Sequence, residues 1–148
     1  MKVLVAMTLG TAPVISKEKN QQHDSFHYVE VGTSLPIPYP GIAVGHRKVF
    51  DNFAFDSSLS FNSMIIMKDV SLNTKFLGYF ENSQYAGIGS CSYLGKVYDI
   101  YFVCFSPFIA YGKEYEKCFF ETNFSPIRLN NYGLDFLPSL SIKYGFKY

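Results

Sequence analysis

The chain has 148 residues, a formal net charge of +1, 18% aromatic residues and no tryptophan. That length suits one domain with one core, and the near-neutral charge sets up no field that would draw in nucleic acid. Apolar content is 48%, yet no apolar run reaches the ~18 residues of a spanning helix, a scan that says nothing of barrels whose apolar and polar residues interleave.

At the N-terminus, Lys2 precedes a mostly apolar run, Val3 to Ile15, followed by the polar stretch Ser16 to Asp24. This predicts a signal peptide over 1–16 and a polar leader over 17–24, with a first strand or an ordinary terminus as the alternative. The remainder, 25–148, reads as one domain.

No helix-period pattern of useful length follows. Strand-like blocks recur instead, separated by turn residues. The first runs Phe26 to Thr33. After the Pro-rich connection 35–40, the second runs Gly41 to Lys48. The third, Phe53 to Met64, sets Phe53, Phe55, Leu59 and Phe61 against Asp56, Ser58, Ser60 and Asn62. The fourth runs Val70 to Phe80, and 81–84 is a turn. The fifth runs Tyr85 to Leu94 and is rich in Gly and Ser. A loop over 95–101 leads to the sixth, Phe102 to Gly112. The seventh is Cys118 to Ser125, and a long loop, 126–137, precedes the last.

The last block, Ser139 to Tyr148, alternates without exception. Leu140, Ile142, Tyr144, Phe146 and Tyr148 are large and apolar or aromatic; Ser139, Ser141, Lys143, Gly145 and Lys147 are small or polar. Side chains on a strand alternate faces, so one face is greasy and the other wet or tightly packed. With its terminal aromatic, this strand resembles the C-terminal strand of the small eight-stranded bacterial outer-membrane β-barrels. The resemblance covers about residues 25 to 148. It implies an all-β, eight-stranded antiparallel up-and-down transmembrane barrel in the outer membrane, entered through a signal peptide. It also implies two partners, the lipid bilayer and a barrel-assembly machinery that reads Leu140, Ile142, Tyr144, Phe146 and Tyr148. Cys91, Cys104 and Cys118 depart from that family's usual lack of cysteine. They would suit a chlamydia-like bacterium with a disulfide-linked envelope, or be three buried thiols.

Alternation alone does not separate a membrane barrel from a soluble barrel or sandwich. Residue size favours the first. Rings such as Phe53, Phe55, Phe61, Phe76, Phe80, Phe120, Phe124 and Phe146 would overfill an eight-stranded interior, which is just wide enough for side chains. The opposite face carries Gly41, Ala43, Gly45, Ser58, Ser60 and Gly145. On it Glu30, Asp56 and Glu121 would meet Arg47, Lys75 and Lys143, with Lys147 at the rim. A lipid-facing Lys near the midplane would cost roughly 2–4 kcal/mol, whereas an interior one finds carboxylates. Tyr79, Phe80 and Tyr148, at strand ends, would form interfacial girdles.

Chemistry is sparse. There is no CxxC pair for zinc, and Gly87, Gly89 and Gly95 make no nucleotide loop. No metal, cofactor or nucleic acid is expected. Of the three histidines, His23 falls in the leader, while His27 and His46 sit on neighbouring predicted strands. They are the candidates for a general base in a lipid-modifying barrel enzyme, with Ser34 and Asp51 as imagined partners of His46. The reading favoured is a structural or surface-interaction barrel with a plugged polar lumen and an unidentified surface partner. The alternatives are a lipid A-modifying esterase or acyltransferase and a soluble, exported lipocalin-like barrel for an apolar ligand.

Overall fold

The computed structural model describes residues 25–65 and 67–148. The expected signal peptide, the leader and His23 lie outside the described residues. Eight long strands alternate in direction around a closed barrel: β1 (Phe26–Leu35), β2 (Gly41–Phe50), β3 (Phe53–Ser63), β4 (Met67–Tyr79), β5 (Gln84–Val97), β6 (Ile100–Glu114), β7 (Cys118–Ser125) and β10 (Ser139–Lys147). Each pairs antiparallel with its neighbours along the chain, and β1 pairs with β10 over eight residue pairs to close the cylinder. The architecture is an eight-stranded antiparallel up-and-down β-barrel. Two short strands, β8 (Arg128–Asn130) and β9 (Gly133–Asp135), form a hairpin between β7 and β10.

The turns explain the boundaries. β2 and β3 are joined by Asp51 and Asn52 alone, with Asp51 at φ 50°; short polar side chains tolerate this left-handed region, which tight hairpins require. The segment 95–101 is not a loop. β5 continues to Val97 and β6 begins at Ile100, across a two-residue turn with Tyr98 at φ 51°. Gly95 allows this extension. The Phe102 ring lies over its bare backbone, and an added Cβ would come within 2.3 Å of the ring. Smaller corrections apply elsewhere: β3 stops at Ser63, β4 begins at Met67 and leaves Phe80 to the turn, and β10 ends at Lys147. Tyr148 still donates its N–H to the His27 carbonyl at 3.0 Å.

The 126–137 segment is also not a plain loop, and the reason lies in two prolines. The β6–β7 ladder runs from Glu114↔Phe119 to Ile109↔Phe124. Continued, it would set Pro107 opposite Pro126, and neither has an N–H to donate. The ladder stops there. Side chains close the seam instead: the Ser106 and Ser125 hydroxyls lie 2.5 Å apart, and Ser125 donates to the Pro107 carbonyl at 2.8 Å. Above the break β6 pairs with β8, through Cys104↔Asn130 and Phe105↔Leu129, with the register shifted by one residue.

The barrel has two distinct ends. One, the terminal rim, gathers Phe26, the β2–β3, β4–β5 and β6–β7 turns, and Lys147. The other, the loop rim, gathers the β1–β2, β3–β4 and β5–β6 connections and the β8–β9 hairpin. Large apolar residues such as Phe53, Phe61, Phe76, Ile88 and Ile109 cover the outside, while the inside holds the buried polar and charged residues.

Candidate functional site

The interior is built by strand parity. Glu30 on β1, Arg47 on β2, Asp56 on β3, Lys75 on β4 and Glu121 on β7 all point inward and are buried. Arg47 has no exposed surface at all (0%). Its Nε donates to Asp56 Oδ2 at 2.7 Å, Nη1 to Glu114 Oε2 at 3.3 Å, and Nη2 to Glu121 Oε2 and the Tyr85 hydroxyl, each at 3.4 Å. The guanidinium also lies 4.5 Å from the Tyr85 ring centre and 4.8 Å from that of Phe119, a favourable cation–π geometry. Lys75 Nζ donates to both oxygens of Glu121, at 2.5 and 2.7 Å, and sits 3.6 Å from Asp56 Oδ1.

Glu114 and three tyrosines, Tyr28, Tyr79 and Tyr85, complete this cluster, and sequence reasoning missed all four as interior partners. Glu114 stands in the charged stretch Lys113-Glu-Tyr-Glu-Lys117, between the expected sixth and seventh strands, where the sequence reads as a turn. It is instead the last residue of β6, and it shares inward parity with Ala110 and Gly112. Its Oε1 accepts from Lys147 at 2.8 Å and its Oε2 from the Tyr79 hydroxyl at 2.5 Å. Tyr79 therefore belongs to the interior and not to an outer girdle. Tyr28 donates to Asp56 Oδ1 at 2.7 Å and Tyr85 to Glu121 Oε2 at 3.1 Å. Arg47, Lys75 and Lys147 thus face Asp56, Glu114 and Glu121, three bases to three acids. These contacts lie in the half of the interior next to the terminal rim. One step toward the loop rim, Lys143 Nζ donates to Glu30 Oε1 at 2.8 Å.

Beyond that pair the interior opens into a cup of about 150 Å³, bounded by Ser, Thr and Asn side chains and by Tyr93, Phe102 and Phe108. Asp69 stands on its wall and accepts from Asn62 at 2.6 Å. Burial and the neighbouring Asp69 carboxylate hold the Tyr39 phenol, in the β1–β2 connection, above its ordinary range.

Of the remaining sequence candidates, His27 and His46 lie on the outer face, whereas Ser34 borders the cup. His27 and His46 are direct cross-strand partners with ring centres 4.5 Å apart. Ser34 is not their neighbour: it pairs with Ser141 at the loop-rim end of β1, seven residues from His27, a separation of about 23 Å along a strand. Asp51 stays in the β2–β3 turn. The residue opposite His46 on β3 is Ser57. Leu140, Tyr144 and Phe146 are exposed on the outer face, Ile142 is partly so, and Tyr148 lies with its ring 6.1 Å from that of His27. Cys91, Cys104 and Cys118 are free thiols, the first two buried and the third half-buried. Among the described residues no group of three or more His, Cys, Asp and Glu is arranged to hold a metal ion.

No family model and no curated protein matches the chain. Among solved structures it is similar to a designed transmembrane β-barrel, from work on the de novo design of such barrels. The two share 11% identity at a TM-score of 0.50, over 88% of this chain and 100% of that one. At that identity the likeness is one of fold.

The charge cluster makes a stability prediction. Lys75→Met leaves Glu121 and Asp56 buried with one cation fewer, so unfolding by denaturant should register a loss of about 3–5 kcal/mol. Lys75→Met combined with Glu121→Met should lose clearly less than the two single changes added together.

Proposed function

We propose that this chain is a bacterial outer-membrane barrel that spans the bilayer with its strands, is plugged by its own ion pairs, and serves a structural or surface-interaction role. One observation carries the reading: polarity is inverted relative to a soluble protein. Phe53 is 69% exposed and Phe76 66%, while Arg47 has no exposed surface. Soluble monomers rarely expose contiguous apolar patches above ~300–600 Å²; here apolar side chains ring the whole cylinder. In hydrocarbon that surface is at home, and a closed barrel leaves no backbone group without a partner. The likeness to a designed transmembrane barrel supports the same reading.

The plug follows from the terminal half of the interior, where three acids, three bases and the Tyr28, Tyr85 and Phe119 rings occupy the cross-section. Such a barrel passes no solutes. The outward row Leu140, Ile142, Tyr144, Phe146 and Tyr148 is the segment by which an assembly machinery would recognise the last strand. The charged, hydroxyl-lined interior disfavours a soluble lipocalin-like carrier of an apolar ligand.

A second reading, a lipid-modifying enzyme, has one observation in its favour. His46 lies directly between His27 and Ser57 on the outer face, and its buried Nδ1 has no hydrogen-bond partner. A base beside a hydroxyl on a lipid-facing wall is the minimum such chemistry needs.

Three measurements test these readings. The protein should fractionate with membranes, migrate differently on SDS gels with and without boiling, and give no steady conductance in planar bilayers. A soluble protein with no heat-dependent shift refutes the membrane reading. Replacing Tyr148 by Ser should impair assembly in cells far more than refolding in vitro; equal effects would mean the terminus acts only through barrel stability. His46→Ala should leave the lipid A of expressing cells unchanged if the role is structural, and abolish a lipid A modification if the enzyme reading is right.

A further inference from the structure

The cup at the loop rim carries an inference that goes beyond a structural role and does not depend on the bilayer. Its floor holds two buried acceptors without partners. Glu30 is 3% exposed; its Oε1 accepts from Lys143, but its Oε2 has no hydrogen-bond partner. Asn123 is 6% exposed, and its Oδ1 is likewise unpartnered. Toward the mouth, the buried Nε of Arg128 is a donor without an acceptor. All three residues border the same cavity. A buried polar atom left unpaired is costly, so three around one opening mark a place where something else supplies the hydrogen bonds.

The charges select the class of ligand. The cup is bordered by two acids, Glu30 and Asp69, and two bases, Lys143 and Arg128. A cation would meet Lys143 on the floor and Arg128 near the mouth; an anion would meet Glu30 and Asp69. A neutral molecule meets neither penalty. It must donate to Glu30 and Asn123 and accept from Arg128, which hydroxyl groups do at once. The ring of Tyr93, 5.5 Å from the Arg128 guanidinium carbon, offers an apolar face for C–H groups. A cavity of about 150 Å³ is of the size known to take one six-membered ring. We propose that this cup binds a small neutral polyol, no larger than a single pyranose, through Glu30, Asn123 and Arg128.

The test is an NMR titration of the full chain, in micelles or, should it prove soluble, in buffer. The probes are erythritol and methyl α-D-glucopyranoside, with methylammonium and acetate as charged comparisons. Saturable shifts confined to Glu30, Tyr93, Asn123 and Arg128 with a polyol are expected. Asn123→Leu removes one acceptor and fills space, so it should weaken binding roughly tenfold, the worth of about one hydrogen bond. It also removes an orphaned amide, so the unliganded barrel should lose no stability. Ser139→Phe, at the mouth and away from the floor, should block entry independently. The proposal is overturned if neither polyol gives a saturable shift, if only methylammonium or acetate does, or if polyol shifts persist undiminished in both variants.

Discussion

A guanidinium with no exposed surface must be met on every side, and Arg47 is. Asp56, Glu114 and Glu121 supply its carboxylates from β3, β6 and β7, while Tyr85 and Phe119 present ring faces from β5 and β7. One side chain on β2 thereby ties together walls that are far apart along the chain. Removing a buried charge from water costs several kcal/mol, recovered only when partners surround it in good geometry. That condition holds only if the barrel closes with one register. The same contacts concentrate three carboxylates and three cations in the terminal half of the interior.

The rings that meet Arg47 need space, and glycine provides it. Tyr28 lies over Gly45 and Tyr85 over Gly112; an added Cβ would approach the two rings within 2.3 and 2.5 Å. These residues serve neither turn nor ligand. They let an aromatic side chain lie flat against the neighbouring strand and carry its hydroxyl to a carboxylate. Without that arrangement Asp56 and Glu121 would each lose a donor, so interior packing and interior electrostatics are one problem.

The two halves of the interior differ as a consequence. Toward the terminal rim every charge has an opposite partner and large rings fill the gaps. Toward the loop rim small Ser, Thr and Gly residues stand among Tyr93, Phe102 and Phe108, and Pro107 and Pro126 interrupt the wall. Serine hydroxyls close that seam, and the cup begins there.

Much of this was legible in residue order alone. A period of two assigns Phe53, Phe61 and Phe76 to one face and Glu30, Arg47, Asp56, Lys75, Glu121 and Lys143 to the other, and the turn residues between blocks delimit eight strands. Local pattern could not reveal that Glu114 ends a strand instead of starting a turn, because a charged cluster reads the same in both settings. Nor could it reveal that Tyr98 turns the chain in two residues, that Pro107 would face Pro126, or that Ser34 lies far from His46. Strand texture and face polarity are local properties, determined by which side chains alternate. The partners of Arg47, the β8–β9 hairpin and the unpartnered acceptors of Glu30 and Asn123 depend on register between strands distant in sequence. Only closure of β1 on β10 decides that register.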